Sequence, residues 1–314
     1  MIDAGFWPIH TSERVGGFRL LRSVTCEMLV MWDRGFHDYE MLVAVHERGG
    51  HVLGRLPAHV KPQRVRSLPD GSYLAHLVPS DYHRRKAGER LLVRIVEYTL
   101  TDPALPGCGE PYRLVTTLLD PAVAPAFEVA CASHERWESE LVIDEVDSHQ
   151  RLAGRPLRSQ HPVGVIQELY ALLIAHYAVR RVMLDAAATA ELDPDRLSFT
   201  HALRVMQESL PEFQLVERAE VPRLYQRLVR DVARERVPER EPRSNARVVK
   251  RKMSTFKLKR GEHAHPPKPT IRSFRDAVHV CCPADDDHPD LLLDLSVSLD
   301  LTVIPRQAPV ECLI

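Results

Sequence analysis

The amino-acid sequence predicts an α/β protein with a β-rich block in its first half and helices in its second half. Residues 12–48 alternate a helical segment, a short apolar strand and a second helical segment. Residues 51–119 contain short alternating runs separated by turn signals such as Pro69-Asp70-Gly71, a pattern typical of strands. Helical spacing returns at Pro125 and continues, with interruptions, to about residue 234.

The expected elements follow from these patterns. The apolar run Met28-Leu29-Val30-Met31-Trp32 predicts a buried strand that ends abruptly at Asp33-Arg34-Gly35. The expected helices cover Ser12–Val24, Tyr39–Arg48, Pro125 to about Gln150, Pro162–Ala190, Ser198–Ser209 and Val221–Arg234. The other expected strands cover His51–Leu56, Tyr73–Val78, Leu91–Leu100 and Tyr112–Leu118.

The charges are strongly segregated along the chain. Its 314 residues carry 42 Lys or Arg and 43 Asp or Glu, for a formal net charge of −1 and a pI near 7.0. Residues 243–275 contain 11 Lys or Arg and one acidic residue, whereas residues 276–314 contain eight acidic residues and one Arg. The near-neutral average argues against a uniformly basic coat. The basic segment is typical either of a nucleic-acid contact or of a solvated, disordered tail.

The sequence also bears on location. The N-terminus, Met1 to Phe6, lacks the basic stretch and apolar run of a secretory signal. The most apolar helical stretch, Leu169–Leu184, carries His176, Arg180 and Arg181 and is shorter than a membrane span requires. The six cysteines are scattered, which suits reduced thiols. We therefore expect a cytoplasmic protein without a membrane partner.

Asp33 is the first candidate functional residue. It follows a buried strand directly and precedes Gly35, so the strand would fix the carboxylate while the loop admits a substrate. A carboxylate in this place is a common metal ligand. The same pattern is also found where an Asp only caps a turn.

A second candidate site lies in the Glu-rich segment Ser133–Glu145. On a helix, Arg136 and Glu140 are four positions apart and share one face. An Arg one turn from a carboxylate can hold it oriented and ionised, as a metal ligand requires. Glu-rich helices with such charge pairs are also common as solvated surfaces.

Four segments, in this order, resemble the cut-and-paste DDE transposases of the insertion-sequence-four type. Trp32-Asp33-Arg34-Gly35-Phe36 resembles the segment with the second catalytic Asp of that family, and Tyr112–Pro121 resembles the strand before its Glu helix. His134–Glu140 resembles the signature in which Tyr, Arg, Glu and Lys recur with two, three and six residues between them. Arg243–Ser254 resembles the basic C-terminal arm of one subgroup. The resemblance extends from about residue 2 to residue 275.

The resemblance implies a ribonuclease-H-like core with a β-rich insertion between the second Asp and the Glu. It implies that Asp33 and Glu140 are Mg²⁺ ligands, and that Arg136 orients Glu140 or contacts a backbone phosphate. In the two-metal site of such enzymes, one ion activates water or a DNA 3′-hydroxyl and the other stabilises the leaving oxygen. The implied activity is DNA cleavage and strand transfer in transposition.

Three departures from the family pattern lower the expected activity. The first catalytic Asp of the family lies in an Asp-Gly-Thr segment well upstream of the second. Asp3 is only 30 positions before Asp33 and lacks that context. Ser133 replaces the Tyr of the signature and Asp147 replaces its Lys. With two carboxylates instead of three, we expect weak Mg²⁺ binding and an N-terminally truncated, impaired transposase.

The expected organisation has five parts. They are a partial catalytic core over residues 1–50, a β-rich insertion over 51–119, the core with the Glu helix over 120–210, a helix and basic arm over 211–275, and a tail without recognised structure over 276–314. The core is expected to lack its N-terminal strands. The strand that ends at Asp33 would then expose one edge.

The expected partner is DNA, both transposon ends and target, with a homodimer as a further possibility. The arm supplies eight basic residues without an acidic one, and such a cluster contributes affinity without sequence specificity. These residues are Arg243, Arg247, Lys250, Arg251, Lys252, Lys257, Lys259 and Arg260.

Two rival functions remain open from the sequence. The first is a non-catalytic DNA-binding remnant that works through the basic arm or competes with an intact transposase. The second is a metal-dependent hydrolase, but His134 and His149 do not share a helical face with Glu140. A zinc site formed by His279, Cys281, Cys282 and His288 is disfavoured, because adjacent cysteines lack the two-residue spacer of zinc knuckles.

Overall fold

The structure, a computed structural model, describes residues 2–105, 107–151, 156–238, 248–249, 257–258, 260–261, 268–281 and 312–313. The chain divides into two compact units. We call Ile2–Glu135 with Pro242–Ile314 the sheet unit, and Arg136–Glu241 the helical unit.

The sheet unit is built on one eight-stranded sheet. Its strands are β1 (Leu29–Trp32), β2 (His51–Arg55), β3 (Gln63–Ser67), β4 (Tyr73–Leu77), β5 (Leu91–Leu100), β6 (Tyr112–Thr116), β9 (Val278–Val280) and β10 (Cys312–Leu313). Their order in the sheet is β10-β1-β2-β6-β5-β4-β3, and β9 also pairs with β5. Two further strands, β7 (Val248–Val249) and β8 (Lys257–Leu258), pair with each other in parallel. β1 is parallel to β2, whereas β2 to β6 continue the sheet with antiparallel pairs.

Helices cover both faces of this sheet. The helices of the unit are α1 (Glu13–Leu20), α2 (Tyr39–His46), α3 (Tyr82–Lys86) and α4 (Ala126–Glu135). On one face, Leu42 and Val45 of α2 pack with Val52, Ile95 and Val115 of the sheet. On the other face, residues of α4 pack with Leu53 and Val96 and with the segment around β9. Burial of both faces stabilises the sheet through the hydrophobic effect.

The helical unit packs three long helices around its own core. Its elements are α5 (Trp137–Asp144), a π-helix (Glu145–Gln150), α6 (Pro162–Ala190), α7 (Phe199–Leu215) and α8 (Val221–Val232). Met183 and Ala186 of α6, Ala202 of α7, and Leu228 and Val232 of α8 are buried together. α8 is amphipathic, with its apolar face in this core and its arginines outside.

The mixed α/β class is confirmed, and the strands and helices expected from the sequence are present with shifts of a few residues at their ends. Two elements of the β-rich block, β3 and α3, were not predicted. Charged residues hide the alternation of apolar and polar side chains in β3 and leave α3 without an apolar face. The single helix expected from Pro125 to Gln150 is wrong. It breaks at Arg136 and ends in the π-helix.

The β-rich block is not a separate sheet. β2, which begins it, lies between β1 and β6, so residues 51–116 continue the sheet that contains the strand before Asp33. The prediction that β1 exposes one edge is wrong for half of the strand, because β10 pairs with Leu29 and Val30. The expected tail is also ordered at its start, where Val278–Val280 pairs with β5.

The helix α6 is longer than the apolar stretch seen in the sequence. By length and composition alone, α6 is long and apolar enough to cross a membrane, with a mean hydropathy of 1.3 over 18 residues. The described residues contain no second helix of this kind. The expectation that this segment is too short is therefore wrong. Its C-terminal half packs into the core of the helical unit, while Val163, Ile174 and Tyr177 are exposed.

Candidate catalytic carboxylates and basic arm

Asp33 lies where the sequence predicts it, at the carboxyl end of β1. It is half-buried and begins the 3₁₀-turn Arg34–Phe36, whose first N–H donates to Asp33 Oδ1 at 2.7 Å. The residue therefore does what the simpler interpretation expects, because it caps a turn. Capping occupies Oδ1, and the position at the end of a parallel strand remains suited to a ligand.

The strand end beneath Asp33 is fixed by a close contact between Trp32 and Gly54. The two residues are paired across β1 and β2, and Trp32 is buried with 6% of its surface exposed. A Cβ at Gly54 would lie 2.3 Å from Trp32 Nε1, far inside van der Waals contact. Glycine is thus required at position 54 for the indole to lie across β2.

His37 is a residue near Asp33 that the sequence did not single out. Burial, with a smaller contribution from the charge of His59, lowers the pKa of His37 to about 4. Its Nδ1 is buried and has no hydrogen-bond partner among the described residues. His37 is therefore neutral near pH 7, and nothing in the spacing of its neighbours distinguishes it in the sequence.

The structure brings Arg136 and Glu140 together as the helical spacing predicts. Arg136 Nη1 lies 3.9 Å from Glu140 Oε1, and the Glu140 side chain is about half exposed at 46%. Arg136 stands at the break between α4 and α5, where Ser139 donates both its N–H and its hydroxyl to the Arg136 carbonyl. The pair is long for a salt bridge, so its contribution to stability is small, about 0–1 kcal/mol.

A closer ionic contact than that of Arg136 with Glu140 lies at Glu145, in the same Glu-rich segment. Glu145 accepts from Arg180 Nε at 2.8 Å and from Arg180 Nη2 at 2.7 Å, and its Oε2 lies 2.9 Å from His176 Nε2. His176 is 2% exposed and packs against Phe199. Glu145 is the first residue of the π-helix, and its contacts hold that turn against α6. The sequence could have indicated it only through the helical spacing of His176 and Arg180.

The two departures from the family signature have local roles. The Ser133 hydroxyl donates to the carbonyl of Ala130 at 2.7 Å, within its own helix. Asp147 lies 3.5 Å from Arg151, an i,i+4 pair on the π-helix. Neither arrangement supplies the aromatic ring or the cation of the signature.

The described residues do not fit a two-ion magnesium site. They contain no group of three or more His, Cys, Asp or Glu side chains placed to hold a metal ion. Asp33 belongs to the sheet unit and Glu140 to the helical unit. Asp3 is engaged elsewhere, because bonds from Arg22 and Ser23 hold its pKa at about 2.

The described residues before and after the basic arm are each held by hydrogen bonds within their own unit. On the upstream side, Arg196 and Val237 exchange two hydrogen bonds, from Val237 N to Arg196 O at 2.8 Å and from Arg196 Nε to Val237 O at 2.9 Å. On the downstream side, residues 268–281 return to the sheet unit and end in β9. Of the eight basic residues predicted to bind DNA, Lys257 lies in β8 and Arg260 is exposed. Arg243, Arg247, Lys250, Arg251, Lys252 and Lys259 lie outside the described residues.

Three contacts fasten the downstream segment. Asp102, 4% exposed, accepts bonds from the backbone and hydroxyl of Thr270 at 2.8 Å each. Arg275 forms a bidentate ion pair with Glu128 of α4. The ring of Phe274 stacks on His134, with centroids 3.7 Å apart. His134, expected as part of the catalytic signature, therefore supports the end of the arm.

Comparison with other proteins supports the resemblance seen in the motifs. No family model matches the chain. The transposase InsG for insertion sequence element IS4 of Escherichia coli strain K12 is 26% identical over 253 residues, which are 79% of this chain and 56% of that protein. The chain thus spans about half the length of this relative. The similarity to insertion-sequence-four transposases is confirmed.

Proposed function

We propose that this chain acts on DNA in transposition, as a protein of the insertion-sequence-four transposase type. The observation that carries the proposal is the similarity to the IS4 transposase over 79% of the chain. The mixed α/β sheet unit is compatible with a ribonuclease-H-like core, in which β1 and β2 would be neighbouring parallel strands.

DNA cleavage is the finer part of the proposal. Asp33 would be the strand-end carboxylate, Glu140 the helix carboxylate, and Arg136 the cation that orients Glu140. Mg²⁺ would be the cofactor by resemblance, but the described residues contain no group of three or more His, Cys, Asp or Glu side chains placed to hold a metal ion. We therefore expect impaired cleavage, and we expect DNA binding to be the better retained property.

A nicking assay tests the cleavage proposal. The substrate is a supercoiled plasmid that carries the terminal sequences flanking the gene, incubated with the full chain and Mg²⁺. Asp33→Asn and Glu140→Gln should each lower nicking at least about 100-fold, because they remove ligand charge. Asn still caps the turn, so the first variant keeps its fold. Glu208→Gln, an exposed glutamate of the same helical unit, should leave nicking unchanged.

The outcomes separate the proposal from its rival. Nicking that disappears in both variants and persists in the control supports a catalytic transposase. Salt-sensitive DNA binding without Mg²⁺-dependent nicking supports the non-catalytic DNA-binding remnant. That second function is favoured by the basic composition of the arm, because phosphate contacts need neither carboxylate. Absence of any DNA binding would contradict both.

A further inference from the structure

A second basic surface lies at the outer edge of the sheet, far along the chain from the arm. β3 is an edge strand in which every residue is exposed, and its only pairing partner among the described strands is β4. It carries Arg64 and Arg66, and Lys61 stands just before it. These three residues are exposed.

The strand register brings a second group of cations to the same edge. Gln63 pairs with His76 and Leu77 pairs with Leu91, so the start of β3, the end of β4 and the start of β5 lie side by side. α3 connects β4 to β5 at this end. Its Arg85 and Lys86, and Arg90 after it, are exposed. We call this set the edge patch; it consists of Lys61, Arg64, Arg66, Arg85, Lys86 and Arg90.

The acidic residues of the same region are already engaged. Asp70 pairs with the buried Arg94. Glu89 pairs with Arg84, which also contacts Glu40. Asp81 caps α3 by accepting from the N–H of Arg84 at 2.9 Å.

The edge patch keeps a net positive charge, because its six cations outnumber the Asp81 carboxylate, which a backbone N–H does not neutralise. No cation in it forms an ion pair within the described part of the chain. The polar contacts of Arg64 are a hydrogen bond to Ser67 and stacking on the ring of Tyr73.

Protection of a sheet edge does not explain this arrangement fully. Charged side chains and bulges on edge strands prevent edge-to-edge pairing, and β3 has a register shift between Arg64 and Arg66. Edge protection gives no reason for the cations on α3, which is not a strand. Positive charge of the same sign on both β3 and α3 indicates a surface that binds a polyanion.

We propose that the edge patch binds the sugar–phosphate backbone of duplex DNA, as a contact additional to the basic arm; this inference rests on the proposed function. Gln63 and Ser67, the ends of β3, are four strand positions apart, about 13 Å. Duplex DNA carries one charge per about 3.4 Å of each strand, so this edge faces about four phosphates. Arginine and lysine on such an edge contribute affinity and orientation, not sequence recognition.

Salt dependence of duplex binding tests the proposal. Removal of one phosphate-binding cation lowers the slope of log K against log salt concentration by about 0.9. The triple variant Arg64→Gln/Arg66→Gln/Arg85→Gln of the full chain should lower the slope by about 2–3. It should also weaken binding at least about 10-fold near 100 mM salt, and equally for unrelated duplex sequences.

A matched triple variant controls for net charge. Arg223→Gln/Arg227→Gln/Arg234→Gln removes the same number of charges from α8 and the residues just after it, where each arginine is already paired with a carboxylate. It should leave the slope unchanged. Acetylation footprinting gives an independent measurement, in which Lys61 and Lys86 should become protected when duplex DNA is bound.

The outcomes distinguish this inference from the function beneath it. Wild-type binding with equal slopes for both triple variants, and no protection of Lys61 or Lys86, would overturn the edge patch while the transposase proposal stands. Failure of the wild-type chain to bind duplex DNA would overturn the DNA partner itself. Thermal unfolding and circular dichroism of both triple variants should match the wild type, because all six positions lie on the surface.

Discussion

The two candidate carboxylates lie in units that hold them by different means. In the sheet unit, Asp33 follows a strand that is packed on both faces, and the contact of Trp32 with Gly54 fixes the strand end. In the helical unit, Glu140 is about half exposed on a helix bounded by a break and a π-helix. The packing of β1 against β2 determines the position of Asp33, whereas ion pairs between side chains determine the surroundings of Glu140.

Each unit also contains a buried arginine–carboxylate pair, and the two pairs differ in depth. Arg94 of the sheet unit is completely buried beside Asp70, while Arg180 of the helical unit is 25% exposed beside Glu145. Replacement of Arg94 removes a completely buried side chain together with its bonds to three acceptors, whereas Glu145 faces an arginine that is partly exposed to water. We therefore expect a larger effect in the sheet unit.

The largest effect is expected for Arg94→Met. Arg94 donates to Ser72, to Asp70 and to the carbonyl of Ala124, and Asp70 in turn accepts from the N–H of Ala126 at 2.8 Å. The substitution should lower the free energy of unfolding by about 3–5 kcal/mol, because it removes the bonds of Arg94 and leaves the Asp70 carboxylate without its cation. Chemical denaturation measures the loss, and hydrogen exchange should show reduced protection in β5 and α4 but not in α6 to α8.

A surface arginine provides the control for this prediction. Arg90→Met, at an exposed position of the same region, should change the free energy of unfolding by no more than about 0.5 kcal/mol. A loss below about 1 kcal/mol for Arg94→Met would show that water or neighbouring groups replace its bonds.

A smaller effect is expected for Glu145→Gln in the helical unit. Glutamine keeps the shape of the side chain but removes the charge that faces Arg180 and His176. We expect a loss of about 1.5–3 kcal/mol, the usual contribution of hydrogen bonds to charged groups. Reduced hydrogen-exchange protection should be confined to the π-helix and α6, and Glu208→Gln should change nothing. Loss of protection across the sheet unit would contradict independent support of the two carboxylates.

The sequence was sufficient where local pattern decides structure. The strand before Asp33, the helix Pro162–Ala190 and the pairing of Arg136 with Glu140 all follow from period and spacing. The break at Arg136 could not be predicted in this way, because helical spacing continues on both sides of it. Nor could the return of Val278–Val280 to β5, which depends on contacts between residues about 180 positions apart.

The edge patch and the contacts of Glu145 with Arg180 and His176 were not predicted, for a related reason. The run Arg84-Arg85-Lys86 is visible in the sequence. Only the structure shows that Arg84 forms ion pairs and that, within the described part of the chain, Arg85 and Lys86 do not. Glu145 looks like the other glutamates of its segment until α6 brings Arg180 beside it. The Mg²⁺ cofactor, the homodimer, the cytoplasmic location and the absence of a membrane partner stay predictions.

The smallest effect is expected for Gly54→Ala, which tests whether backbone packing positions Asp33. The new methyl group would meet Trp32, and the indole must tilt or β1 must shift. We expect a loss of about 1–2 kcal/mol from this overpacking, with faster hydrogen exchange in β1 and β2. Gly35→Ala, two residues after Asp33, is the matched control, because its methyl group meets nothing within 4 Å.

The control should leave stability unchanged or raise it by up to about 1 kcal/mol, since alanine restricts the unfolded chain. If Gly54→Ala lowers the nicking or binding of the wild type while Gly35→Ala does not, the strand end matters for the function of Asp33. Equal behaviour of the two variants would show that Asp33 is positioned by its own capping bond to Arg34 instead. The sheet unit would then hold its carboxylate as locally as the helical unit holds Glu140.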